Sequence, residues 1–169
     1  MSKKYNLAVF IGRFQPFHNG HLSVVNKALE IADRVLILIG SVDCPRTLRN
    51  PFTFGERWFM IANSFNAEDY ERITVRPISD HLYNDNVWIE SVQVEVGAYT
   101  CAEDKVVLIG HSKDNTSYYL KLFPQWEAVN CEQEHVLNST EIREKYFFSR
   151  ELEYYEDEGI MPPAVLDFL

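Results

Sequence analysis

Long apolar runs are missing from this chain: none approaches the ~20 residues that a membrane-spanning helix needs, and no membrane partner is expected. Cysteine is scarce too. Cys44, Cys101 and Cys131 are scattered and odd in number, which fits neither a disulfide framework nor a zinc-ligand pattern. Positive charge is short, with 16 Lys and Arg against 25 Asp and Glu and a net charge of −9. That balance argues against nucleic acid, which wants a basic face. A site for small phosphates needs positive charge only locally, so the acidic total does not exclude one. Glycine is sparse, and its spacing matches neither GxGxxG nor GxxxxGK[ST]. The N-terminal residues run into a strand without the apolar stretch of a signal peptide. No repeat, low-complexity segment or linker stands out. A length of 169 residues, 46% of them hydrophobic and 24% charged, therefore reads as one cytoplasmic globular domain spanning 1–169.

What is present is a rhythm of short apolar runs and helical patterns. Leu7–Ile11 reads as a buried strand. Leu22, Val25, Leu29 and Ala32 recur at helical spacing. Between them lies a strand-to-helix turn in which Gly12 lets the backbone approach a ligand and Pro16 stiffens the loop. Gly20 and His21 fall where the helix begins, and a helix N-terminus favours anions. With His18 three residues before His21 and Arg13 nearby, the turn reads as a phosphate-handling loop.

Val35–Ile39 is continuous in the manner of a parallel strand buried on both faces, and it ends in Gly40 and Ser41. A polar loop carrying Arg46 and Arg49 follows. Thr53 with Glu56 forms a capping box for a helix to about Phe65. Further strands are expected at Ile73–Val75, Val106–Ile109 and Glu127–Asn130, and further helices at Asp85–Tyr99, Tyr118–Phe123 and, capped by Ser139 or Thr140, through Phe148. Pro162–Phe168 reads as a last turn of helix. Strands alternating with helices imply a parallel sheet with helices on both faces, an α/β fold of Rossmann-like kind. In such sheets ligands lie beyond the carboxyl ends of the strands, where the polar loops after Ile11, Gly40, Val75 and Gly110 all emerge.

Several residues carry two readings at this stage. Ser139, Thr140 and Arg143 are either a plain cap with a surface arginine or a phosphate clamp of hydroxyls and guanidinium. Trp88 is either core, which periodicity favours, or a stacking platform. Lys113 or Asp114, just after Gly110, could reach a phosphate or a ribose. The acidic stretch Arg150–Gly159 superficially resembles a Nudix metal helix. Its spacing is two residues too long and the upstream glycine and glutamate are missing, so an acidic surface helix and no Nudix domain are expected.

The string Gly12-x-Phe14-x-Pro16-x-His18-x-Gly20-His21 resembles the His-x-Gly-His signature of the nucleotidyltransferase superfamily. Asn138-Ser139-Thr140-Glu141-Ile142-Arg143 is similar to its second motif, with Asn138 where relatives often carry Ser. Together with RNPFTFGER from Arg49, SDHLYNDNVWI from Ser79 and GHSKDNTSYYLKLFPQW from Gly110, these segments resemble the nicotinamide mononucleotide (NMN) adenylyltransferases of archaeal type. That type also forms the N-terminal half of bifunctional adenylyltransferase–Nudix proteins.

The resemblance implies a reaction of ATP with NMN that yields NAD and pyrophosphate. It places His18, His21, Arg13 and Arg143 around the reacting phosphates. ATP would fall to Gly12, Phe14, Gly20, Gly110, Lys113, Asp114, Ser139 and Thr140. NMN would fall to Gly40, Ser41, Arg49, Asp80, Asn84 and Trp88. No protein metal site is expected, with Mg²⁺ arriving on the ATP phosphates. A homo-oligomer is possible. The alternatives are another adenylyl or cytidylyl transferase, such as one acting on phosphopantetheine, and a non-catalytic nucleotide-sensing module.

Overall fold

Every apolar run becomes a strand, and all the strands join one sheet. The computed structural model of the protein describes residues 3–81, 84–111, 121–131, 138–148 and 159–169. In chain order the elements are β1 (Tyr5–Gly12), α1 (Asn19–Ile31), β2 (Ala32–Ile39), α2 (Phe54–Ala62), α3 (Ala67–Tyr70), β3 (Ile73–Pro77), α4 (Asp85–Gly97), β4 (Val106–Gly110), β5 (Glu127–Asn130), α5 (Ser139–Phe148) and α6 (Pro163–Leu166). The sheet order is β3-β2-β1-β4-β5 and every pairing is parallel. Ile11 registers with Leu38, and Val9 with Leu108.

Alternation along the strands sorts the core into two layers. Ala8, Phe10, Val35, Ile37, Ile39, Val107 and Ile109 meet α1, α2, α5 and the chain around α6. Leu7, Val9, Ile11, Leu36, Leu38 and Leu108 face the other way, toward α4 and Phe123. Helix α4 was ambiguous in sequence because its valines fall on several faces. Val92 and Val96, one turn apart, are buried, while Val87 and Val94 are exposed. Each fully buried valine contributes ~1.5–3 kcal/mol, so that pair fixes which face docks.

Element ends differ from expectation in instructive ways. Helix α1 starts at Asn19, earlier than expected, and passes into β2 at Ala32 with no loop between. The capping box of Thr53 and Glu56 forms as expected, Thr53 N donating to Glu56 Oε2 at 2.7 Å. Its helix stops at Ala62, and Asn66 starts a short new turn, α3, that the apolar pattern did not reveal. Neither Ser139 nor Thr140 caps α5: the Thr140 N–H donates to Asn138 Oδ1 at 2.9 Å, so Asn138 takes that role. Half of the helix expected at Tyr118–Phe123, residues 118–120, lies outside the described residues, as does the acidic stretch from Arg150 to Glu158. Among the described residues no helix is long and apolar enough to cross a membrane.

Strand order reverses at β1, which has β2 on one side and β4 on the other. The crevice beyond their carboxyl ends is where such a sheet takes its ligand.

Candidate active site

The loop after β1 is folded around aromatic rings. Phe14 has φ +52° and is 1% exposed. A Cβ on Gly12 would come within 2.8 Å of the Phe14 ring, so this is a position that requires glycine. Phe14 meets His21 edge-on at 4.9 Å, Phe17 stacks on His21 at 5.6 Å, and His18 stacks on it at 3.7 Å. Buried as it is, the Phe14 ring serves to orient His21, and only its backbone remains for a ligand. The His18 N–H donates to His21 Nδ1 at 3.3 Å. A neutral His21 whose Nδ1 accepts must carry its proton on Nε2, which makes that nitrogen a donor.

Both imidazoles are held neutral. Burial pushes the pKa of His18 down to about 3, with a smaller contribution from His111. Burial drives His21 well below its usual 6.5, helped by His18 and then His111. Nδ1 of His18 is buried and has no hydrogen-bond partner among the described residues, an orphaned polar atom of the kind a ligand satisfies. Asn19, the variable position of the signature, is fastened from the far end of the chain. Its N–H donates to Ile160 O at 2.9 Å and its side-chain amide to Gly159 O at 2.6 Å.

Positive charge gathers at the same edge. Burial lowers the pKa of Arg143, and repulsion from Arg13 and then Arg49 lowers it further. Arg13 is likewise lowered, by burial and then by Arg49. None of the three closes an ion pair among the described residues. Arg143 is 7% exposed and aimed by two bonds, to Gln15 O at 2.8 Å and to Thr140 Oγ1 at 3.1 Å. Gln15 in turn bonds both backbone groups of Phe52, at 2.8 and 2.9 Å. Arg46 is already engaged, reaching Glu56 at 2.8 Å and Pro51 O at 3.1 Å. Of the two arginines on that loop, Arg49 is therefore the one without an ion-pair partner among the described residues.

Beyond β2 and β3 the contacts are of another kind. Ser41 has φ +52°, and Asp80 pins it from both sides. The Ser41 N–H donates to Oδ1 at 3.1 Å and its hydroxyl to Oδ2 at 2.6 Å. A Cβ on Gly40 would lie at an ordinary 3.6 Å from Asp80. Asn84 caps α4 by accepting from the Val87 N–H at 3.3 Å through its side-chain oxygen. Trp88, in the first turn of α4, is half-buried. It packs against the core layer and lies 6.0 Å from Phe123, itself stacked on Trp126 at 4.9 Å.

Gly20 is buried in the first turn of α1, and Gly110 ends β4 with its carbonyl accepting from the Cys131 N–H at 2.8 Å. Lys113 and Asp114 lie outside the described residues. Among those described, no three His, Cys, Asp or Glu side chains gather where they could hold a metal.

Two residues with no role in the sequence reading prove central. His111, directly after β4, lies 2.9 Å from Cys131 O through Nδ1 and 3.2 Å from Gly20 O through Nε2, tying β4 to the histidine turn. Arg57, 1% exposed, binds the carbonyls of Thr53, Arg13, Gly40 and Ser41. A signal for Arg57 did exist, because it falls on the inward stripe of α2 with Met60 and Ile61, where a charge is out of place.

A 3-2-1-4-5 parallel sheet with paired imidazoles and, among the described residues, guanidiniums without ion pairs at its switch point defines a nucleotidyltransferase of Rossmann-like fold. The chain belongs to the cytidylyltransferase-like family, which matches residues 9–145, and within it to the nicotinamide-nucleotide adenylyltransferases. The nicotinamide/nicotinic acid mononucleotide adenylyltransferase of Acinetobacter baylyi is 43% identical over 92% of this chain and 83% of its own. The nicotinamide-nucleotide adenylyltransferase of Saccharolobus solfataricus is 37% identical over 80% of this chain and 76% of its own. A solved bifunctional NMN adenylyltransferase/ADP-ribose pyrophosphatase from Francisella tularensis, complexed with AMP and a manganese ion, superposes with a TM-score of 0.78 at 32% identity. The match covers 85% of this chain and 42% of that one, so the chain spans less than half the length of the two-activity protein.

Proposed function

We propose that this protein transfers the adenylyl group of MgATP to NMN, forming NAD and releasing pyrophosphate. An oxygen of the NMN phosphate bonds to the α-phosphorus as the bond from that phosphorus to the β-phosphate bridge breaks. The NMN phosphate is already largely dianionic at neutral pH, its second pKa being about 6, so neither a general base nor a covalent nucleophile is needed. The chain's work is to position the two substrates and neutralise charge at the α-phosphate and on the departing pyrophosphate. The observation that carries the reading is the gathering of Arg13, Arg49 and Arg143 with the buried histidine pair at the switch point. Neutral imidazoles there donate hydrogen bonds, and the arginines supply the charge.

In this assignment Arg143, with Ser139 and Thr140, takes the outer phosphates. His21, through Nε2–H, and His18 meet charge that develops in the transition state. Gly12, Gly20, Gly110 and the backbone at Phe14 line the nucleotide, with Lys113 and Asp114 nearby in sequence. Gly40, Ser41, Asp80, Arg49, Asn84 and Trp88 form the NMN side. Mg²⁺ enters with the triphosphate as part of the substrate. The protein is further proposed to act in the cytoplasm, as a single nucleotidyltransferase domain over 1–169, with assembly into a homo-oligomer open to sedimentation measurement.

Pyrophosphate release by the purified protein tests the reaction, using ATP or CTP against NMN, nicotinate mononucleotide and phosphopantetheine. ATP with NMN is expected to be fastest, with NAD as product. Preference for CTP or for phosphopantetheine would replace the reading with another transferase. Tight ATP binding with no turnover on any acceptor would make the protein a nucleotide sensor.

A further inference from the structure

Resting on the reaction just proposed, we infer that Arg57 is a positioning residue that holds the donor loop after β1 and the acceptor loop after β2 in fixed register. Its Nη1 donates to Arg13 O at 2.8 Å and to Gly40 O at 2.7 Å, and its Nη2 to Ser41 O at 3.3 Å. Nε donates to Thr53 O at 3.1 Å, which anchors the guanidinium to the start of α2. The first two carbonyls occupy special places. Arg13 O belongs to the peptide leading into Phe14, and Gly40 O to the peptide leading into Ser41. Among the described residues, Phe14 and Ser41 are the non-glycine residues with positive φ, both at +52°. Such residues persist only where their surroundings hold them. One nitrogen therefore secures both turns, the first carrying the histidine pair and the second meeting Asp80. Asp80 binds Ser41 from its other side and is the principal charge favouring the buried guanidinium.

Packing alone gives no reason for an arginine here. A buried cation costs desolvation that an apolar side chain of similar volume avoids. Burial lowers the pKa of Arg57 to about 10, with Asp80 the largest influence opposing it, so the charge survives at neutral pH and its donors meet carbonyls from three segments. A guanidinium offers five donors in a rigid fork and can span those segments, whereas a lysine ammonium cannot match that geometry.

The test compares the parent with Arg57→Lys and Arg57→Met in steady-state NAD synthesis. Calorimetric titration of MgATP and NMN, each alone, accompanies it. Displacing one loop relative to the other by about an ångström is expected to lower kcat roughly 100-fold, while each separate affinity stays within about threefold of the parent. Arg57→Lys is expected to retain more activity than Arg57→Met. Parent-like kcat in Arg57→Lys overturns the inference. Loss of affinity for either substrate as large as the loss in kcat also overturns it, since Arg57 would then serve one loop only. Failure of both variants to fold assigns Arg57 to stability and overturns it too. A parent that makes no NAD removes the reaction itself, a failure visible before any variant is assayed.

Discussion

At the amino end of the sheet Lys4 lies 2.9 Å from Glu127, and Arg34 lies 3.5 Å from Asp104. At the carboxyl end Arg13, Arg49 and Arg143 press on one another, and no carboxylate closes an ion pair with any of them among the described residues. Exposed pairs of the first kind contribute little to stability. Of the second group Arg13 and Arg49 are exposed and Arg143 is buried, and a buried cation with no counter-charge costs stability until an anion arrives. The same side-chain type thus marks a solvated surface at one end and a site awaiting negative charge at the other. Perturbed, unpaired groups collected in one crevice are the electrostatic mark of function.

The contrast can be broken most sharply at His21. His21→Ala removes a donor held by three rings, and kcat is expected to fall roughly 100-fold or more with the fold intact. A near-parent kcat in a folded variant would remove its catalytic role. Next in size is Arg143→Ala, which should raise the KM for MgATP by roughly 10–100-fold, since a charge-assisted bond is worth about 1.5–3 kcal/mol. An unchanged MgATP affinity would leave the guanidinium cluster without its ligand.

Trp88→Leu sharpens the acceptor side. A pyridinium ring on an indole face gains ~0.5–2 kcal/mol, so the KM for NMN should rise about 2–30-fold with that for ATP nearly unchanged. A lower Tm with untouched NMN affinity would make Trp88 core alone. Acid should also tell the two ends apart. The folded pKa of His18 is about 3 against 6.5 when unfolded, so the unfolded chain binds a proton there that the folded chain does not. Stability is full above pH 6.5 and falls on acidification toward 3, by at most ~1.4 kcal/mol per pH unit. Urea midpoints from pH 7 to 4 should fall more steeply in the parent than in His18→Asn; equal slopes would contradict it. The smallest effect is at the amino end, where Lys4→Ala should leave both kcat and Tm at parent values.

Much of this was legible in sequence, for definable reasons. Strands buried on both faces read as apolar runs, so β1, β2 and β4 are legible within a few residues; β3 and the exposed edge strand β5 are legible as shorter runs. The site loop was legible because its chemistry is local: His18, His21 and Gly12 act within one turn. Asp80 and Ser41 fell on loops already expected to meet, but their direct bond needs the sheet register that sets β3 beside β2. Apart from the Arg57 bond to Thr53, Gln15, Arg57 and His111 act through backbone groups 16 to 91 positions away, and such partners leave no spacing to detect. Asn138 opens the second motif, and that its side chain caps α5 shows only in the structure.

The fastening of Asn19 by Gly159 spans 140 positions of chain, and so sets an order of assembly. Non-local contacts of this span form late, because the intervening chain must first be closed. On a ribosome moving at ~5–20 residues per second, Asn19 emerges roughly 7–28 s before the residues that hold it. The turn bearing both histidines is therefore synthesised well before the residues that complete it, and is among the last to acquire all its bonds.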